Sequence, residues 1–129
     1  MKKYLPFILS LCLLGGCGGA TATSNSYRQV SMQDAITMMQ QQSGYIILDV
    51  RRADEFAEKH IPGAINIPNE AIGEAEIPQL PDKSQLILVY CRSGNRSKQA
   101  SEKLVALGYT NIVEFGGIID WPLDTVSEK

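Results

Sequence analysis

Cysteine and histidine are the chemically active residues this chain has least of. Its 129 residues include three cysteines, Cys12, Cys17 and Cys91, and a single histidine, His60. The cysteines are odd in number and none stands in a CxxC pair, which excludes a disulfide framework and a four-thiolate zinc site. A strong charge of either sign is also missing. Twelve basic residues against 14 acidic ones leave a formal charge of −2, too little positive charge for a general nucleic-acid binder. No apolar run reaches the roughly 20 residues needed to cross a bilayer. At 44% hydrophobic and 20% charged residues the composition is globular rather than disordered. The length allows one ordinary domain and excludes a multidomain machine.

What is present begins with a three-part N-terminus. Lys2 and Lys3 precede an apolar stretch, Tyr4 to Leu14, and Gly15 and Gly16 follow it. A positive start, a short apolar core and a small-residue exit are the layout of a secretory signal. Leu14-Gly15-Gly16-Cys17 resembles a bacterial lipobox, in which the peptide is cut before a lipid-modified cysteine. This resemblance implies a signal peptide over 1–16 and an envelope lipoprotein anchored through Cys17, facing the periplasm. Gly18, in place of the aspartate that retains such proteins at the inner membrane, implies the outer membrane if the cell is Gram-negative. More than one acyl chain makes such an anchor stable. The alternatives are ordinary cleavage after Ala20 or Ala22, giving a soluble periplasmic or secreted protein, and a buried helix. Cleavage before Cys17 removes two lysines and no acid, so the formal side-chain charge moves from −2 to −4. It leaves Cys91 as the one unmodified thiol.

Residues 17–26 read as the lipidated cysteine and a small, polar, flexible tether. Residues 27–124 form one domain and 125–129 a C-terminal tail. Within the domain, strand and helix signals alternate. Strands are expected at 27–30, 45–50, 64–67, 86–90 and 112–115. Helices are expected at 32–42, capped by Ser31, at 53–59, at 69–79 and at 97–107, stopped by Gly108. YIILDV at 45–50 and LILVY at 86–90 are apolar nearly throughout, as strands buried on both faces are. The pattern implies an α/β fold, a central parallel sheet of about five strands with helices on both faces.

Cys91-Arg92-Ser93-Gly94-Asn95-Arg96-Ser97 joins the LILVY strand to the helix after it. Ligands of open α/β sheets bind beyond the carboxyl ends of the strands, where Cys91 falls. A loop of small residues turns backbone N–H groups around an anion, and the next helix aims its positive end there. Arg92 and Arg96 add permanent charge. These features favour thiolate over thiol and suit a nucleophile acting on an oxyanion.

Four stretches carry a family resemblance: Leu48-Asp49-Val50-Arg51 with Glu55-Phe56; His60 to Pro68; Tyr90 to Ser97; and Gly108-Tyr109 with Gly116-Gly117-Ile118 and Trp121-Pro122. Together they resemble a single-domain rhodanese of the periplasmic phage-shock type. The resemblance implies the rhodanese three-layer sandwich and a thiosulfate sulfurtransferase. Cys91 would take sulfur from thiosulfate as a persulfide and pass it to cyanide or a thiol. Arg92, Ser93, Gly94, Asn95, Arg96 and Ser97 would cradle the substrate, with no metal or organic cofactor, and the protein would be a monomer. Phosphatases and arsenate reductases of this fold place five residues between cysteine and arginine. Here four separate Cys91 from Arg96, which favours sulfur transfer. A non-catalytic partner-binding module is the other alternative. Lys59, where many members have glycine, is a departure. Asp49 and Arg51 read as a structural polar pair, His60 as a turn or capping residue and Trp121 as a core plug. Asp54, Glu55, Glu74 and Glu76 read as solvated helix charges.

Overall fold

A computed structural model describes residues 26–129. The signal segment, Cys12, Cys17 and all but the last residue of the tether lie outside the described residues. Five strands alternate with three helices: β1 (Arg28–Gln29), α1 (Met32–Gln41), β2 (Ile46–Asp49), α2 (Ala53–Glu58), β3 (Ile65–Asn66), β4 (Ile87–Cys91), α3 (Asn95–Ala106) and β5 (Ile112–Gly117). The strands form one sheet in the order β1-β5-β4-β2-β3, every pair parallel. This is the α/β sandwich expected from the sequence.

The two-residue period of the strands sorts the core into two layers. Leu48, Ile87, Val89, Cys91 and Ile112 pack on one face with Ala100 and Leu104 of α3. Ile47, Leu88, Tyr90, Val113 and Phe115 pack on the other with Ala35 of α1. Both faces of β4 are buried, which is why its sequence shows no polar alternation. Ser31 caps α1 as expected, its Oγ accepting the Asp34 N–H at 3.0 Å.

Strand ends differ from expectation by one or two residues, and three features of the chain path have a local reason. The helix expected over 69–79 is only a 3-10 turn, Asn69–Ala71. Gly73 and Pro78 disfavour a helix, and burial of Ile72, Ile77 and Leu80 against the sheet holds an irregular path. Helix α3 starts at Asn95 rather than Ser97, because Gly94 adopts the left-handed conformation (φ 116°) and turns the chain early. The C-terminal residues are docked: Val126 and His60 exchange backbone hydrogen bonds at 2.8 and 2.9 Å, and Glu128 N–H reaches the Ala57 carbonyl at 2.9 Å.

Candidate active site

Cys91 ends β4, the middle strand, so the sheet presents its Sγ at the carboxyl edge between β2 and β5. Arg92, Ser93 and Gly94 turn the chain into α3. The turn brings the Gly94 N–H to 3.0 Å from Sγ, and Ser97, in the first turn of α3, places its Oγ 3.5 Å away. Burial pushes the Cys91 thiol up. The Ser97 hydroxyl and the N–H groups of Ser97, Gly94 and Ser93 outweigh it and hold the thiol below its ordinary value of 9.0. The N-terminus of α3 adds its partial positive charge at the same point.

The two arginines of the loop do different things. Arg96 is turned away into a two-pronged ion pair with Glu55 of α2, at 2.7 and 3.2 Å. Glu55 is therefore no solvated helix charge: the Arg96 guanidinium, with the Arg52 N–H, holds its carboxyl at about 2. Loop sequence alone assigns both arginines to thiolate stabilisation. The hydrogen bonds of the loop carry most of it, while Arg96, close enough to feel the Cys91 charge, also ties the loop to α2. Arg92 is exposed and, among the described residues, has no ion-pair partner. It lines a cleft of about 320 Å³ with Arg51, Glu55, Glu58, Lys59, Ile118 and Ile119. Ser93 and Asn95 are exposed, whereas Gly94 and Ser97 are buried, so the loop contributes to the site mainly through its backbone and the Ser97 hydroxyl.

The loop is supported from below by Gly116-Gly117. Gly116 takes a positive φ of 99°. Gly117 passes under Arg92 so closely that a Cβ would meet the Arg92 carbonyl oxygen at 2.0 Å. Ile119 N–H then donates to the same carbonyl at 3.3 Å.

The remaining singled-out residues have structural places. Asp49 and Arg51 form a buried bidentate pair, with Arg51 also donating to the Lys59 carbonyl at 2.7 Å, which makes them structural. His60 stacks on Phe56 and places Nδ1 2.8 Å from the Phe56 carbonyl, closing the end of α2. Trp121 is half-buried against the α1 side of the sheet, and its indole N–H donates to the Asp124 carbonyl at 3.0 Å. Among the described residues, no group of three His, Cys, Asp or Glu side chains is placed to hold a metal ion.

Residues 31–122, most of the chain, match the family described as the rhodanese-like domain. It is a rhodanese-like protein. The chain is 40% identical over 73 residues to the thiosulfate sulfurtransferase PspE of Escherichia coli, covering 57% of this chain and 70% of that protein. It is 34% identical to the thiosulfate sulfurtransferase GlpE of Haemophilus influenzae, covering 78% of this chain and 97% of that one. A solved structure described as a rhodanese with anions from E. coli superposes with a TM-score of 0.59 at 36% identity, covering 64% of this chain and 98% of that chain.

In this rhodanese-like chain, sequence reasoning misses Glu114. It lies on β5 beneath the loop, 3% exposed, and accepts the Ser97 hydroxyl. Its signal in the sequence is a lone acid inside an otherwise apolar strand, Ile112-Val113-Glu114-Phe115. A charge in such a strand is kept only if something pairs with it.

Proposed function

We propose that this chain is a thiosulfate sulfurtransferase that carries sulfane sulfur on Cys91. The observation that supports it most is the Cys91 thiol itself. It sits at the mouth of a four-residue loop, held toward the thiolate by converging N–H donors. The Sγ thiolate attacks the outer sulfur of thiosulfate. A bond forms between Sγ and that sulfur, the sulfur–sulfur bond of thiosulfate breaks, and its electron pair leaves on sulfite. The terminal sulfur of the persulfide is then attacked by cyanide or a thiolate, and the electron pair returns to Sγ. Two half-reactions through a covalent intermediate make the kinetics ping-pong. The loop N–H groups hold the charge on the persulfide, and Arg92, exposed at the cleft, draws the dianionic donor in.

The test is a thiosulfate:cyanide assay on the wild type beside Cys91→Ser, with intact-mass spectrometry after thiosulfate alone. Thiocyanate formation and the addition of one sulfur, both lost in Cys91→Ser, are the expected results. Wild-type protein with no activity above the variant overturns the proposal. The presence of the nucleophile in a complete loop also speaks against a purely partner-binding module.

The lipobox-like residues 14–17 support anchoring at the membrane of a bacterial envelope through Cys17. Cys17→Ser should move the full-length protein from the membrane to the soluble fraction. A variant that fractionates with membranes as the wild type does removes the anchor.

A further inference from the structure

Glu114 is a buried ionisable group beside the loop to which the sulfur-transfer cycle gives no role. Its Oε2 accepts the Ser97 hydroxyl at 2.5 Å and the Gly116 N–H at 3.0 Å, and its Oε1 lies 3.4 Å from the Gln29 amide nitrogen. Ser97 Oγ in turn stands 3.5 Å from Cys91 Sγ. The three side chains come from β5, α3 and β4, and none is more than 3% exposed. They form a continuous, nearly fully buried line from carboxyl to thiol.

The proton inventory of that line is constrained. A serine hydroxyl has one hydrogen to give. The other groups around Ser97 Oγ are the Gly94 carbonyl at 2.9 Å and the Gly116 carbonyl at 3.4 Å, and both only accept. An ionised carboxylate outcompetes carbonyls for the hydrogen. While Glu114 is charged, Ser97 therefore turns a lone pair toward sulfur and withholds the hydroxyl hydrogen bond that lowers the Cys91 thiol, leaving that to the loop N–H groups. Only when Glu114 carries a proton is the Ser97 hydrogen released to the thiolate. Two negative charges in one dry pocket also repel each other, so the carboxylate and the thiolate disfavour each other.

We propose that Cys91 and Glu114 share a single proton through Ser97, and that Glu114 receives the thiol proton when the nucleophile forms. The Sγ–H bond breaks and leaves its electron pair on sulfur. The proton goes to Ser97 Oγ as the Ser97 proton goes to Glu114 Oε2. One negative charge moves from carboxylate to sulfur, and none enters or leaves the buried pocket. The persulfide anion carries the same single charge, so Glu114 keeps its proton until sulfur is handed on. Glu114 touches no substrate; it is a positioning residue that acts through Ser97. The inference rests on Cys91 being the nucleophile of the proposed function.

Other ionisable groups face the pair. Arg96 feels the charge on Cys91. Arg92 lies on the loop. Tyr27, beside Glu102 and Glu114, is held above its ordinary 10.0 by burial and then by those two carboxylates. Arginine stays charged throughout and Tyr27 ionises above the range of interest, so neither imitates the shared proton.

The experiment is the pH dependence of Cys91 alkylation by iodoacetamide in the full-length chain. Peptide mass spectrometry separates Cys91 from Cys12 and Cys17. A shared proton gives wild-type protein two steps in rate, about one pH unit or more apart, with a plateau between them. Glu114→Gln keeps an oxygen for Ser97 and Gly116, and its amide group meets the Gln29 side chain, which can turn to accept. It should show one step, below the upper wild-type step. Ser97→Ala removes one buried oxygen and should abolish the plateau with Glu114 still present; it decides the question if Glu114→Gln does not fold. A single step in the wild type, or two in Glu114→Gln, overturns the shared proton, and two in Ser97→Ala overturns the path through serine. Alkylation needs no sulfur donor. Two steps without sulfur transfer would remove the proposed function alone, and sulfur transfer with one step would remove the shared proton alone.

Discussion

Gly117 runs beneath Arg92 with no room for a side chain: an added Cβ would lie 2.0 Å from the Arg92 carbonyl oxygen, 2.4 Å from its carbon and 2.6 Å from Ser93 Cα. All three are backbone atoms of the loop that holds Cys91, so nothing flexible can yield. Gly117→Ala should displace the loop by several tenths of an ångström or more. Persulfide formation is expected to fall about 100-fold, the scale of a misplaced reacting group. Denaturant unfolding should show a loss of about 1–3 kcal/mol, the usual cost of overpacking. Wild-type rates in Gly117→Ala would show that the close approach does not position the loop.

The Arg96–Glu55 pair makes stability depend on acid pH. Glu55 lies at about 2 in the folded chain against an ordinary 4.5. A carboxyl lowered by folding stabilises above its unfolded value, and that stabilisation is lost as pH falls from about 4.5 toward 2. With allowance for partial exposure, Glu55→Gln should cost about 2 kcal/mol at pH 7. The difference between the two proteins should shrink as pH falls from about 4.5 through about 2 and vanish only below that. Urea unfolding at a series of pH values measures it, and a difference that is constant with pH would contradict the assignment.

Arg92 is the loop cation without an ion-pair partner among the described residues. Arg92→Ala should raise the KM for thiosulfate about three- to tenfold and change kcat less, because the lost interaction is mainly with the incoming dianion. The effect should weaken as ionic strength rises. Steady-state kinetics at low and high salt decide it; a pure kcat defect would place Arg92 in the sulfur-transfer step instead.

Asp49 is fully buried and meets Arg51, itself 4% exposed, through both carboxylate oxygens. Removing one partner strands the other charge. Asp49→Ala should cost about 3–5 kcal/mol, the range for broken buried pairs. The midpoint of thermal unfolding should fall by well over about 10 °C for a domain of this size. A loss under about 1 kcal/mol would show that Arg51 finds water or another acceptor.

Alternating apolar segments, a cysteine at the end of the LILVY strand and a glycine two residues before Arg96 make a parallel sheet with a cysteine loop at its carboxyl edge legible in the sequence. The structural pairing of Asp49 with Arg51 and the capping position of His60 are legible there too. The stretch from 69 to 79 is not. Its local propensity is weak, and burial of Ile72, Ile77 and Leu80 decides its path.

Sequence alone singled out Cys91 as the proposed sulfur carrier and the loop that surrounds it, because those features lie within a few residues of one another and depend on local backbone preferences. Tertiary structure alone decided three things. Glu55, 41 residues away, holds Arg96. Glu114, 17 residues from Ser97, lies beneath it. Gly117 bears on Arg92 across the β4–β5 register, which is irregular between Val89 and Cys91. Such pairings depend on how strands align and which face each residue takes. A shift of one residue sends every side chain to the opposite face, so pairings of this kind exist only once the sheet has formed.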